Sequence, residues 1–139
     1  MLKTSLIIPA WNAENTIEDC LLSAIKAKSS PNEIVVVDDV STDNTVNIVN
    51  KLAKEYSKIK LLRLDKNVGP AGARDYGAKF AFGEIFFFTD SDTLILDFTF
   101  INCLNTMKKY KADAVSGIYH PEPINKGIAQ LYKALFFYY

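Results

Sequence analysis

With 139 residues, 49% of them hydrophobic and 23% charged, the chain has the composition of one globular domain long enough to bury a core. Sixteen Lys and Arg balance sixteen Asp and Glu, so no bulk positive field holds nucleic acid, although a local anion site remains open. Cys20 and Cys103 are too few for a disulfide framework and read as buried free thiols, and no apolar run approaches the ~20 residues of a spanning helix.

The first element is Ser5–Pro9, an apolar run that reads as a buried strand and is too short for a signal peptide. Asn15 with Glu18 three residues on has the pattern of a capping box, and Ile17, Cys20, Leu21, Ala24 and Ile25 then share one helix face. Pro31-Asn32 breaks that helix. Glu33–Asp38 is a continuous β-branched run, as in a strand covered on both faces. A second helix follows Ser41, Thr42 and Asp43, read as N-cap residues, with Val46, Val49 and Ala53 inward. Ile59–Leu64 is a third strand. Gly69-Pro70 opens a third helix whose Ala73, Tyr76, Gly77, Phe80 and Ala81 share a face, and Gly83 ends it. Glu84–Thr89 is a fourth strand, followed by a helix near Phe98–Tyr110 and a short strand near Ala112–Ser116. The alternation predicts a single α/β domain over 1–139, a Rossmann-like, mostly parallel sheet with helices on both faces.

In such folds ligands sit beyond the carboxyl ends of the strands, and the polar residues of this chain gather there. Asp90-Ser91-Asp92 puts two carboxylates two apart behind an aromatic strand. Hard cations such as Mg²⁺ or Mn²⁺ take one or two carboxylates together with substrate phosphates, whereas the plain alternative is a solvated loop. Asp38-Asp39 places two adjacent charges after a buried strand, so at least one is expected to face a partner: a ligand N–H, a ribose hydroxyl, or a helix or turn that it caps. Asn67 to Arg74 is a Gly-rich loop running into a helix, neither a Walker loop nor G-x-G-x-x-G. Its N–H groups could hold anionic oxygens, and Arg74 could reach a diphosphate as a fork donor or pair with a local Asp. Trp11 is expected half in the core and half at the site edge, and His120 in its Pro-rich loop is given no role.

Taken in order, Pro9-Ala-Trp-Asn-Ala-Glu14, VVVDDVSTDNT, Asn67-x-Gly69 with Ala73-Arg74 and Gly77, and Thr89-Asp-Ser-Asp92 resemble the inverting family 2 glycosyltransferases with the GT-A fold, over nearly the whole chain. Val40 departs from the family's usual Gly or Asn, and Asp75 from the Asn that commonly follows the Arg. The resemblance implies a sugar-nucleotide site. Pro9, Ala10 and Trp11 would flank base and ribose, with Glu14 in the same loop. Asp39 would hold the base with Asp38 beside it, and Arg74 would approach the nucleotide or its phosphates. Asp90 and Ser91 would contact ribose or donor sugar, and Asp92 with Asp90 would ligate the Mn²⁺ or Mg²⁺ that bridges the diphosphate. A UDP-sugar is the first expectation for the donor and a GDP-sugar the second, with inverting, metal-assisted transfer to a hydroxyl of a glycan or lipid-linked acceptor.

The family's acceptor base lies downstream of the D-x-D, and no residue here matches its motif. It is expected beyond Tyr139, which makes the chain an incomplete GT-A domain, a donor-binding portion with little activity alone. The expected location is cytoplasmic, peripheral to the membrane. The apolar helix read at 124–139 carries Ile128, Leu131, Tyr132, Leu135, Phe136 and Tyr139 at helix spacing. It is expected to pack on further sequence or a partner, to self-associate through 128–139, or to lie on a membrane surface. Two other classes share parts of the pattern. A haloacid dehalogenase-type phosphatase would use Asp90 as nucleophile and Asp92 as acid/base, but its motif order is wrong here, and a phosphoacceptor receiver domain lacks the preceding strand and helix. A non-catalytic nucleotide-binding module is the remaining alternative.

Overall fold

A computed structural model describes residues 2–117. In chain order the elements are β1 (Thr4–Ala10), α1 (Ile17–Lys26), β2 (Glu33–Asp38), α2 (Thr45–Glu55), β3 (Ile59–Arg63), α3 (Gly69–Phe80), β4 (Ile85–Phe88) and α4 (Thr99–Tyr110). All strand pairs are parallel and the sheet order is β3-β2-β1-β4, so the expected α/β architecture holds. Residues through Phe100 form one compact unit that holds the sheet and α1 to α3, and Ile101 onward belongs to a second.

Every residue of β1 and β2 is buried, which explains their unbroken apolar runs: both faces are covered. On one face Leu6, Ile8, Ile34 and Val36 meet Ile17, Cys20, Leu21 and Ala24 of α1 and Val49 and Leu52 of α2. On the other, Ile7, Val35 and Val37 meet Ala73 of α3. Burying each of the Leu, Ile and Val side chains contributes about 1.5–3 kcal/mol. α3 lies very close to the sheet at Gly77, where a Cβ would come within 2.7 Å of Ile7 Cγ2 and 2.9 Å of Val37 Cγ2. The chain passes from β1 to β2 on one side and later returns to pair β4 on the other. The topology therefore switches at the carboxyl end of β1.

Several local expectations are corrected. Asn15 forms no capping box. The helix starts after Thr16, and the Ala13 carbonyl accepts the Thr16 and Ile17 N–H groups at 3.0 and 2.9 Å, so backbone takes over the capping role. In α2 the buried positions are Thr45, Val49 and Leu52, while Val46 is only half-buried. Phe80 is 54% exposed, its ring packed in a tilted arrangement 4.9 Å from that of Tyr76 instead of reaching the core. Gly83 lies beyond the end of α3, where its N–H donates to Ser5 Oγ at 2.8 Å and a Cβ would collide with the β1 backbone. Ala112–Ser116 is no strand, because it pairs with no strand among the described residues. Cys20 is buried and Cys103 only partly so; both are free. Among the described residues no helix is long and apolar enough to cross a membrane. His120 and the 124–139 helix lie outside the described residues.

At the amino end of the sheet Glu33 is buried. Ser5 Oγ and the Phe82 N–H donate to its Oε1, Ser5 at 2.5 Å, and Lys60 Nζ donates to its Oε2 at 2.9 Å. Burial raises its pKa, but the bonds from Ser5, Lys60 and Phe82 outweigh that and hold it below the usual carboxylate range.

Candidate functional site

The loop after β1 is laced to the loop after β2. Asn12 adopts φ of 48°, a left-handed conformation that Asn tolerates. Its Oδ1 accepts the Thr42 N–H at 2.8 Å and its own N–H donates to Ser41 Oγ at 3.0 Å. The Ala13 N–H donates to Thr45 Oγ1 at 2.8 Å. Glu14 donates its N–H to Asp43 Oδ2 at 3.0 Å, and its Oε2 accepts the Asn44 N–H at 2.9 Å. The polar run Ser41–Thr45 therefore joins two loops as well as starting α2. Asp43 Oδ1 accepts from the Thr45 N–H and hydroxyl, and these bonds outweigh burial to lower its pKa.

At the end of β2 the two aspartates part company. Asp38 is fully buried: Oδ1 accepts the Ser41 N–H at 3.2 Å and Oδ2 faces Arg63 Nε at 3.5 Å. Asp39, 3% exposed, receives the Val68 and Gly69 N–H groups on its two oxygens, each at 2.8 Å, and its carbonyl accepts Asn67 Nδ2 at 3.1 Å. The anion held at the start of α3 is thus the protein's own Asp39, which satisfies two orphan N–H groups and sits at the positive end of the helix dipole. The expectation that this Gly-rich loop offers those N–H groups to a ligand is corrected. A tethered carboxylate reaches them first.

At the end of β4 Arg74 Nη2 donates to Asp90 Oδ1. The Asp90 carbonyl accepts the Thr93 N–H at 3.2 Å and the Cys20 thiol at 3.5 Å. Burial first, then the charge of Asp92, pushes the Cys20 pKa up to about 12, so it stays a thiol and a donor at neutral pH. Ser23 Oγ accepts the Ile95 N–H at 2.9 Å and donates to the Cys20 carbonyl at 2.7 Å. Two side chains of α1 therefore fasten the Asp90–Ile95 loop. The Asp92 side chain is exposed and makes no hydrogen bond or ion pair among the described residues.

These strand ends enclose an open cleft of about 680 Å³. Pro9, Ala10, Trp11, Asp39, Arg74, Asp90, Ser91 and Asp92, all expected at the ligand, line it. Glu14 and Asp38, also expected there, do not; they hold α2 and β3 in place instead. Trp11 is 60% exposed, so its indole belongs to the cleft rim and not to the core. Asn12 and Ala13, which the Pro9-to-Glu14 segment contains without an expected role, and Thr16, which no motif includes, also line the cleft; an Asn following a strand suits a left-handed turn. Three carboxylates face one guanidinium in this lining, so an anionic ligand gains little from the protein alone. A divalent cation would offset the excess. Asp90 and Asp92 are two hard oxygen donors of the kind Mn²⁺ or Mg²⁺ takes, and the described residues hold no cluster of three acidic, His or Cys ligands. That donor set fits a cation whose coordination is completed by phosphate and water.

The sequence model of glycosyl transferase family 2 matches residues 5–137. The poly(ribitol-phosphate) beta-glucosyltransferase of Bacillus spizizenii is 34% identical over 120 residues, 84% of this chain and 19% of that protein. The crystal structure of Staphylococcus aureus TarS 1–349 in complex with UDP-GlcNAc superposes with a TM-score of 0.71 at 33% identity, covering 91% of this chain and 39% of that one. The mannosyltransferase PcManGT of Pyrobaculum calidifontis, in complex with GDP-Man and Mn²⁺, gives a TM-score of 0.72 at 26% identity over 96% of this chain and 38% of that one. The chain thus spans about a fifth of the Bacillus protein and about two fifths of each solved chain.

Proposed function

The chain belongs to glycosyl transferase family 2, and we propose that its strand-end cleft binds the nucleoside diphosphate of a sugar-nucleotide donor for transfer of the sugar to an acceptor hydroxyl. The observation that carries this reading is the convergence of an exposed indole, one guanidinium and two metal-competent carboxylates in one cleft at the topological switch point. Solved relatives hold UDP-GlcNAc and GDP-Man, which supports a UDP- or GDP-sugar as donor.

Trp11 and the Pro9-Ala10 turn offer an apolar wall to base and ribose. Asp39, pinned by α3, keeps its remaining lone pairs for a base N–H while fixing the helix that carries Arg74. Arg74 pairs with diphosphate oxygens, and Asp90 and Asp92 would hold Mn²⁺ or Mg²⁺, with Ser91 between them beside ribose or sugar. When bound, the cation supplies Lewis-acid charge for the diphosphate leaving group. The anomeric carbon–oxygen bond to the diphosphate breaks as the acceptor oxygen bonds to the opposite face, with inversion, and the acceptor's proton passes to a base. No base is assigned among the described residues, because the carboxylates of the cleft are taken by α3 or by the cation. We place that base, with a glycan or lipid-linked acceptor at the cytoplasmic membrane face, in the part of the relatives' length that this chain does not span.

Asp92→Ala tests the assignment. Mn²⁺ should lose its effect on UDP binding while the thermal midpoint stays within a few degrees. Undiminished Mn²⁺ dependence in a folded Asp92→Ala protein would contradict the metal role.

A further inference from the structure

Arg74 Nη2 donates to Asp90 Oδ1, and both side chains are partly open to solvent, 32% and 49% exposed. Asp90 is therefore neutralised by a cation of the protein's own, which takes one of its two oxygens and offsets the charge that a divalent cation beside Asp92 would draw on. Asp92 has no such partner among the described residues. α3 cannot readily move to release the pair: Asp39 pins its first turn, and Ala73 and Gly77 are packed on the sheet. The Arg74 side chain can still change partners by rotation. It is also the one guanidinium among the described cleft residues, so an entering diphosphate has a single fork donor to recruit.

We infer, resting on the donor and cation reading above, that Arg74 is a resident counter-cation. It occupies Asp90 until a diphosphate draws it away, and so frees Asp90 for the divalent cation. Nucleotide and metal are coupled through this one side chain, in addition to any contact between phosphate and metal, and by linkage each tightens the other by the same factor. A bystander positive charge would behave differently, weakening cation binding equally with and without nucleotide. Exchange confines the weakening to the nucleotide-free protein.

The experiment measures Mn²⁺ affinity of the full chain and of Arg74→Gln, by the electron paramagnetic resonance of free Mn²⁺, with no nucleotide and at saturating UDP. Without UDP the variant should bind Mn²⁺ about two- to fivefold more tightly than the unsubstituted chain, the range set by breaking a partly exposed ion pair. At saturating UDP that gain should vanish. Arg74→Met, which keeps the aliphatic stem, should behave alike and guards against a folding artefact of one substitution. An unchanged or weaker nucleotide-free affinity, or a gain of the same size with UDP, overturns the exchange and leaves the donor reading intact. Absence of both Mn²⁺ and UDP binding in the unsubstituted chain overturns the donor reading and the exchange together.

Discussion

Val40 has φ of 66°, a left-handed backbone that a β-branched residue adopts only under strain. The turn is needed because the flanking residues face different partners. Asp39 reaches the start of α3, while the Ser41 N–H returns to Asp38 Oδ1. Gly or Asn, usual at this position in the resembled family, accepts that geometry. Val40→Gly is expected to stabilise the protein by about 1 kcal/mol, strain relief exceeding the extra entropy of a Gly in the unfolded chain. Urea unfolding checks it, and an unchanged or lower midpoint would contradict the strain. The strand-end loops show, at this scale, what the sequence displays and what it leaves hidden. The D-x-D and the Asp pair were legible as carboxylates that need partners. Which partner each took was not, because Asp39 with Val68, Arg74 with Asp90, and Glu14 with Asn44 are contacts between loops far apart in the chain.

At the scale of elements, position on the sheet depends on a few close approaches. Gly77 has side chains of β1 and β2 where a Cβ would stand. Gly77→Ala should therefore cost about 1–3 kcal/mol, despite the better helix propensity of Ala, because α3 must lift off Ile7 and Val37. A variant at least as stable as the parent in denaturant unfolding would refute this packing. α1 does more than cover the sheet. Through Cys20 and Ser23 it fastens the backbone of the Asp90–Ile95 loop, so a helix read from its apolar face alone also holds the loop that carries Asp90 and Asp92. Strands β1 and β2 were plain in the sequence since both faces are covered and the apolar run is continuous. The start of α1 was not, because the Ala13 carbonyl accepts the bonds expected of the Asn15 side chain. Ala112–Ser116 failed as a strand for a related reason: pairing, and not composition alone, makes a strand.

Across the whole sheet the charged groups divide between two ends. The carboxyl ends of the strands carry the cleft, and the amino end carries Glu33, buried and bonded by Ser5, Lys60 and the Phe82 N–H. Its folded pKa lies below its unfolded one, so its contribution to stability is present above about pH 4.5 and is lost as pH falls through the folded value. Glu33→Gln should accordingly lower stability at pH 7 and flatten its decline as pH falls below about 4.5. Equal pH slopes for parent and variant would contradict that linkage.

The zero net charge of the chain conceals this division, and with it an acidic cleft lined by three carboxylates and one guanidinium, which on the function proposed above takes a cation together with a diphosphate. The most direct test is calorimetric titration of UDP into the full folded chain with and without Mn²⁺. Saturable binding with Mn²⁺, at least tenfold tighter than without it, is the expected result, a difference of about 1.4 kcal/mol or more. No UDP binding in either condition, or the same affinity in both, would contradict a metal-assisted nucleotide site.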